Sequence, residues 1–186
     1  MKNLTAAVAW TLLLCVLCCS CSCEKQEHRD YLKYQEFPFS MEAEITCGSF
    51  SCAAEVCLQT GQNMELRFRQ PKTLEGVTLT CSEDGFSIGN GTVLTRLPEG
   101  VRQYGAAQLI RFFNLKDIWI SSVELSRESG IEMNVLRFAV PQTDGQPAGS
   151  ITVKLDGESG VPCCFEGELG GQSYEIRVLS FAGHAE

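Results

Sequence analysis

The sequence predicts a mostly β fold, an antiparallel meander of about ten short strands with one buried helix against it. Three observations carry that expectation. Apolar and polar residues alternate with period two in several segments, turn dipeptides separate those segments at roughly ten-residue spacing, and one stretch mid-chain switches to helical spacing. The chain has 186 residues, 44% hydrophobic and 20% charged, with 17 Gly and 6 Pro, a balance that supports a packed core and excludes disordered or collagen-like chains. Without a leader of about 20 residues, the remainder suits one domain rather than two. The net charge of −8 argues against nucleic acid as a partner and against a polybasic grip on anionic lipid, since both need clustered Lys and Arg.

Taken in order, residues 1–23 combine an early Lys2, an apolar run from Leu4 to Leu17 and then small residues and cysteines, with no acidic residue before Glu24. This is the pattern of a secretory leader. Its apolar run is shorter than the roughly 20 residues a spanning helix needs. The closing cysteines resemble the box of a bacterial lipoprotein leader, whose cysteine takes a diacylglycerol before the chain is cut just ahead of it. Cys21, preceded by Ser20, is the expected lipid attachment site, and Cys19 and Cys23 are the alternative registers. The expected division is therefore a signal peptide over 1–20, a polar tether over 21–36, a folded domain over 37–181 and a tail over 182–186.

Beyond Phe37 the period is two. Met64, Leu66 and Phe68 alternate with charged residues; Val77, Leu79 and Cys81 alternate with threonines; Ile151, Val153, Leu155 and Tyr174, Ile176, Val178 repeat the pattern. One sheet face is wet and the other covered. Asn90-Gly91 and Gly170-Gly171 predict two-residue hairpin turns, Asp144-Gly145 and Asp156-Gly157 mark loops, and Cys47 to Cys52 brackets a connection of about four residues. In one segment the apolar series Ile131, Met133, Val135 gives way to Leu136, Phe138, Val140, which predicts a β-bulge near Val135. From Gln103 to Ile118 the apolar residues recur at helical spacing, leaving Gln103, Gln108, Arg111 and Asn114 as a narrow polar edge. That helix is buried over most of its circumference and must lie on the apolar face of the sheet.

The chemistry of catalysis is missing. Only two histidines occur, His28 and His184, both near chain ends and so not held beside a nucleophile. No phosphate loop, dinucleotide fingerprint or Gly-x-Ser-x-Gly elbow occurs. Glu42 and Glu44 alternate onto one strand face, where solvation explains them. The body cysteines, Cys47, Cys52, Cys57, Cys81, Cys163 and Cys164, contain no Cys-x-x-Cys pair, which disfavours zinc. Disulfides and buried thiols remain equal readings, and Cys47 and Cys52 would bridge if they faced each other. Neither an enzyme, nor a metal site, nor a cofactor is expected.

A lipoprotein leader, a tether and a meander with one apolar helix in its middle resemble the LolA/LolB-type lipoprotein-localisation superfamily, in particular the LolA-like (GerS-type) lipoproteins of spore-forming Gram-positive bacteria. The sharpest local match is Met64 to Val77, where Phe68, Pro71, Leu74 and Gly76 look like the family's strand, Phe-x-x-Pro turn and Leu-x-Gly entry to the next strand. The resemblance implies an antiparallel half-barrel with the helix on its concave face, and a non-catalytic protein on the extracytoplasmic side of a membrane. The implied ligand is a lipid or lipopeptide tail held by Met64, Leu66, Phe68, Leu79, Leu109, Phe112 and Phe113. The alternative is a filled barrel that binds a protein partner of the envelope or of spore germination. With Cys21 changed to Ala, palmitate labelling should vanish and the protein should leave the membrane; labelling that persists would move the attachment to Cys19 or Cys23.

Overall fold

The computed structural model describes residues 31–59, 63–82, 85–98, 106–116, 118–142 and 148–183. The leader with Cys19, Cys21 and Cys23, the two histidines and the Asp144-Gly145 loop lie outside the described residues. The chain divides into two units, Met1–Lys33 and Tyr34–Glu186.

In the second unit the strands are β1 (Phe39–Cys47), β2 (Phe50–Leu58), β3 (Met64–Gln70), β4 (Thr78–Ser82), β5 (Gly85–Gly89) and β6 (Leu94–Arg96). After the helix α1 (Ala106–Phe113) come β7 (Ile120–Glu128), β8 (Ile131–Val140), β9 (Gly149–Asp156), β10 (Pro162–Leu169) and β11 (Gln172–Gly183). They form one open antiparallel sheet of 11 strands in the order β6-β5-β4-β3-β2-β1-β11-β10-β9-β8-β7. The mostly β fold, with one α-helix among the described residues of this unit, is thus as the alternation predicts. Alternation does not reveal that there are two meanders, sewn together where β1 pairs with β11 in the middle of the sheet. One extra residue on β11 between the partners of Glu42 and Ala43 leaves Leu179 exposed and keeps Phe181 opposite Met41. Phe181 then stacks on Phe39, with ring centroids 5.3 Å apart, and Tyr34 packs against both.

The turns correct several expectations. Gly170 and Gly171 both have positive φ and join the paired Leu169 and Gln172, a true two-residue turn. Asn90-Gly91 does not make one. The ladder ends at Gly89 and Leu94, so the loop holds four residues, and only Gly91 adopts positive φ. The β1–β2 turn is tighter than expected: Cys47 pairs with Phe50 across Gly48-Ser49, and Cys52 pairs with Ile45. Cys47 and Cys52 therefore do not face each other. All six body cysteines are thiols, and burial pushes Cys52 up to about 11 and Cys164 up to about 12, so neither is a reactive thiolate at neutral pH.

No bulge occurs at Val135, whose neighbours pair continuously with both β7 and β9. Val135 instead points to the outer face between its register partners Glu124 and Lys154. Long charged side chains with apolar stems cover such a position without any change of register. The Met64 to Val77 segment behaves as its motif suggests. Strand β3 ends at a cis Gln70–Pro71 bond, Leu74 N donates to Pro71 O at 2.8 Å, and Gly76, at positive φ, donates to Phe68 O at 3.1 Å.

The helix is shorter than the expected Gln103–Ile118, since its described part ends at Phe113. The reason is local: Asn114 N still reaches Ile110 O at 3.1 Å, but Leu115 N donates to Oε1 of Gln35 at 3.1 Å instead of to the helix. Strand β10 leaves space for the helix at Gly167, where a Cβ would collide with the backbone of Ser150 and lie 3.1 Å from Cε1 of Phe112. Gly167→Ala should therefore cost about 1–3 kcal/mol or more, measured as a lowered denaturation midpoint. An unchanged midpoint would show that β9 and the helix together leave room for a methyl group at Gly167.

Candidate binding face

Register assigns the inner face strand by strand. Residues paired across antiparallel strands share a face, so the chain of partners Met64–Leu58, Leu66–Val56, Phe68–Ala54 and Leu66–Leu79 places Met64, Leu66, Phe68 and Leu79 together. On the other half, Leu136, Val153, Phe165 and Ile176 continue the same surface. All of these side chains are buried.

Helix α1 lies on this face. Phe113 meets Phe165 of β10 edge to face at 5.4 Å, Phe112 meets Tyr174 of β11 at 5.2 Å, and the helix also approaches β4. Strands β4 and β10 are five positions apart in the sheet order, so the sheet must curl around the helix for one short element to meet both. Curvature resolves a difficulty in the sequence. Adjacent residues on a helix point about 100° apart, yet Phe112 and Phe113 are both fully buried. A flat sheet would cover only one of them. Of the seven residues expected to hold a ligand, all are buried in the second unit; the ring contacts of Phe112 and Phe113 run to β10 and β11, away from β3.

Two buried glutamines seat the helix, and sequence reasoning missed both roles. Gln35, placed in the tether by its polar surroundings, is 1% exposed. Its Nε2 donates to the Tyr34 hydroxyl at 2.9 Å while its Oε1 accepts from Leu115 N. Desolvation raises the Tyr34 hydroxyl well above its ordinary pKa, which keeps it neutral. Gln108, expected on a polar edge, is 3% exposed. The Tyr174 hydroxyl lies 3.2 Å from Oε1 of Gln108 and 3.0 Å from Oε1 of Gln172, so its one proton serves either acceptor. Cys47 Sγ donates weakly to the same Gln172 oxygen at 3.9 Å. The available signal was spacing: Gln108 lies four residues before Phe112, so the two share one face of the helix.

The outer face is ionic and solvated. Glu55 pairs with Arg67 at 3.8 Å and with Arg69; Lys154 pairs with Glu128 at 3.1 Å and Glu166 at 3.2 Å; Glu44 pairs with Arg177 at 3.8 Å. Exposed pairs of this kind contribute about 0–1 kcal/mol each, so the stability of the unit rests on the inner face. Truncating Phe113 to Ala should cost about 3–5 kcal/mol in the absence of any ligand, because it opens a cavity against Phe165. Thermal unfolding checks this; a loss below about 1 kcal/mol would mean that the helix does not contribute to the core as a packed element.

No family model matches the sequence, and no curated protein matches it. Solved structures do match in fold. A Vibrio parahaemolyticus domain assigned to outer membrane lipoprotein sorting superposes with a TM-score of 0.52 at 10% identity, over 87% of this chain and 92% of that one. An uncharacterised conserved protein of Thermus thermophilus gives 0.52 at 13% identity, over 86% and 89%. A DUF1329 family protein of Desulfovibrio piger gives 0.52 at 9% identity, over 88% and 93%. At such identities the likeness is one of fold alone: an open antiparallel sheet curled around a helix.

Proposed function

We propose that this chain is a non-catalytic, membrane-anchored envelope lipoprotein that takes the acyl chain of a lipid or lipopeptide into the half-barrel, with α1 as a displaceable plug. One observation carries the reading. The apolar inner face of an eleven-stranded sheet is plugged by a helix whose described residues make two turns, with the buried Gln35–Leu115 contact just past its C-terminal end. So short a helix is marginal by itself and holds its place through Leu109, Ile110, Phe112 and Phe113. Burying four such side chains is worth about 6–12 kcal/mol. An acyl chain with about a dozen methylenes gains about 10 kcal/mol at about 0.8 kcal/mol each. The two are equal within the precision of such figures, so exchange of plug for acyl chain is energetically level. The fold shared with the Vibrio sorting domain supports a hydrophobic cargo, and Met64, Leu66, Phe68, Leu79, Leu109, Phe112 and Phe113 are the residues proposed to line it. Cys21 is the proposed anchor.

A second reading follows from the same burial. The seven residues are almost wholly shielded, which equally suits a permanently filled barrel that presents its surface to an envelope or spore protein. Native mass spectrometry of the purified chain separates the two. A non-covalent lipid adduct is expected, and Gln35→Ala, which unties the plug, should raise uptake of a fluorescent sixteen-carbon fatty acid several-fold. Absence of any adduct together with unchanged uptake in the variant would leave the filled barrel as the function.

A further inference from the structure

We propose that strand β7 pairs with β7 of a second copy of this chain, joining two sheets edge to edge in an antiparallel register centred on Leu125. The inference stands apart from the acyl-chain reading. The two edges of the sheet are unlike. Strand β6 is three residues long, whereas β7 runs for nine and ends the sheet. A long edge presents a row of unpaired backbone donors and acceptors, and proteins usually blunt it with Pro, Lys or brevity. Strand β7 contains neither Pro nor Lys, and its one irregularity, between Ile120 and Ser122, lies at its start and leaves residues 122–128 regular.

Its charges do not guard it either. Glu124 is drawn to Arg137 on β8 at 3.3 Å, Glu128 to Lys154 on β9 at 3.1 Å, and Arg127 Nε donates back to Gly130 O at 3.3 Å. All three turn toward their own sheet. Register puts Val123 and Leu125 on the inner face, opposite Leu136 and Asn134, yet Leu125 is 83% exposed and Val123 is also exposed. The helix does not shelter this part of the face.

The sequence of β7 selects a second copy and a register. About a two-fold axis perpendicular to the sheet, residues of like parity must meet, because paired residues share a face. Centring on Glu124 sets that carboxylate against its own copy, and centring on Ser126 sets Glu124 against Glu128. Like charges directly opposite are destabilising. Centring on Val123 opposes no like charges but runs the pairing across the irregularity between Ile120 and Ser122. Centring on Leu125 uses only the regular stretch from Ser122 to Glu128 and pairs Leu125 with Leu125, Val123 with Arg127, Glu124 with Ser126 and Ser122 with Glu128, with no like charges opposed. The most exposed apolar side chain of the strand then meets its own copy.

Sedimentation velocity of the full chain in a mild nonionic detergent tests this, over about 1 to 100 µM because an interface of one strand pair is small. A concentration-dependent dimer is expected. Leu125→Lys should raise its dissociation constant about tenfold or more. Ser126→Lys, set opposite Glu124, should tighten the dimer, and Ser126→Glu should loosen it. Circular dichroism of each variant distinguishes lost pairing from lost fold. A chain that stays monomeric throughout, or a dimer indifferent to Leu125→Lys, overturns the proposal and leaves the edge to a strand from another protein. A dimer that Ser126→Lys loosens overturns the register and with it the proposal.

Discussion

The pairing of β1 with β11 constrains everything else in the folded unit. Because the first and last strands lie side by side in the middle, each meander grows outward, and β6 and β7 finish at opposite edges of the sheet. The connection from β6 to β7 must therefore join one edge to the other. In an open curved sheet the short path is across the concave side, and α1 sits on that path. Its apolar character follows: a segment that crosses the inner face is surrounded by Phe165, Tyr174 and their neighbours, and from Gln108 to Phe113 only Arg111 keeps partial exposure. The same pairing places Phe39 and Phe181, from the first and last strands of the unit, in contact.

Apolar contact holds the helix in the sheet but does not fix where along the sheet it stops. Apolar burial is non-directional, whereas hydrogen bonds have direction and unmet buried polar groups cost about 1–3 kcal/mol each. Gln35 and Gln108 supply that direction at the two ends of α1. Gln108 meets the Tyr174 hydroxyl from within the helix, and Gln35 takes the amide of Leu115 just past its end. Any shift of the helix by a turn would strand both amides in an apolar interior. The position of the plug is thus specified by polar residues even though its energy of burial is apolar.

Much of this was legible in the sequence, and the boundary falls where pairing becomes non-local. Alternation located β3, β4, β9 and β11, and the change of period located α1, since both depend on residues near one another in the chain. The Gly170-Gly171 turn was legible because two adjacent positive φ angles demand glycine. Asn90-Gly91 carried the same signal but lost to the ladder, which ends early at Gly89 and Leu94. The supposed bulge at Val135 arose from reading two apolar faces as one displaced face; only the neighbours Glu124 and Lys154, brought in from other strands, show why an outer-face valine is covered. Gln35 was illegible for a like reason. Its partner lies 80 residues away, and nothing in a polar stretch marks one glutamine for burial.

The size of the helix sets the reach of the candidate site. Eight residues span about 12 Å at 1.5 Å each, and with a width of about 10 Å such a helix covers two or three strands at 4.8 Å spacing. Eleven strands cannot be covered that way. Met64, Leu66 and Leu79 are nonetheless buried, so curvature of the sheet, turning inner side chains toward one another and toward the helix, must shield what the helix alone does not reach. Shielding fails first where curvature has no further strand to bring round, at the edges. There Ile88 on β5 and Val123 and Leu125 on β7 are exposed although they lie on the inner face. The inner face is therefore sealed at its centre and open at its rims, and any ligand or partner that reaches the core must first meet one of those rims.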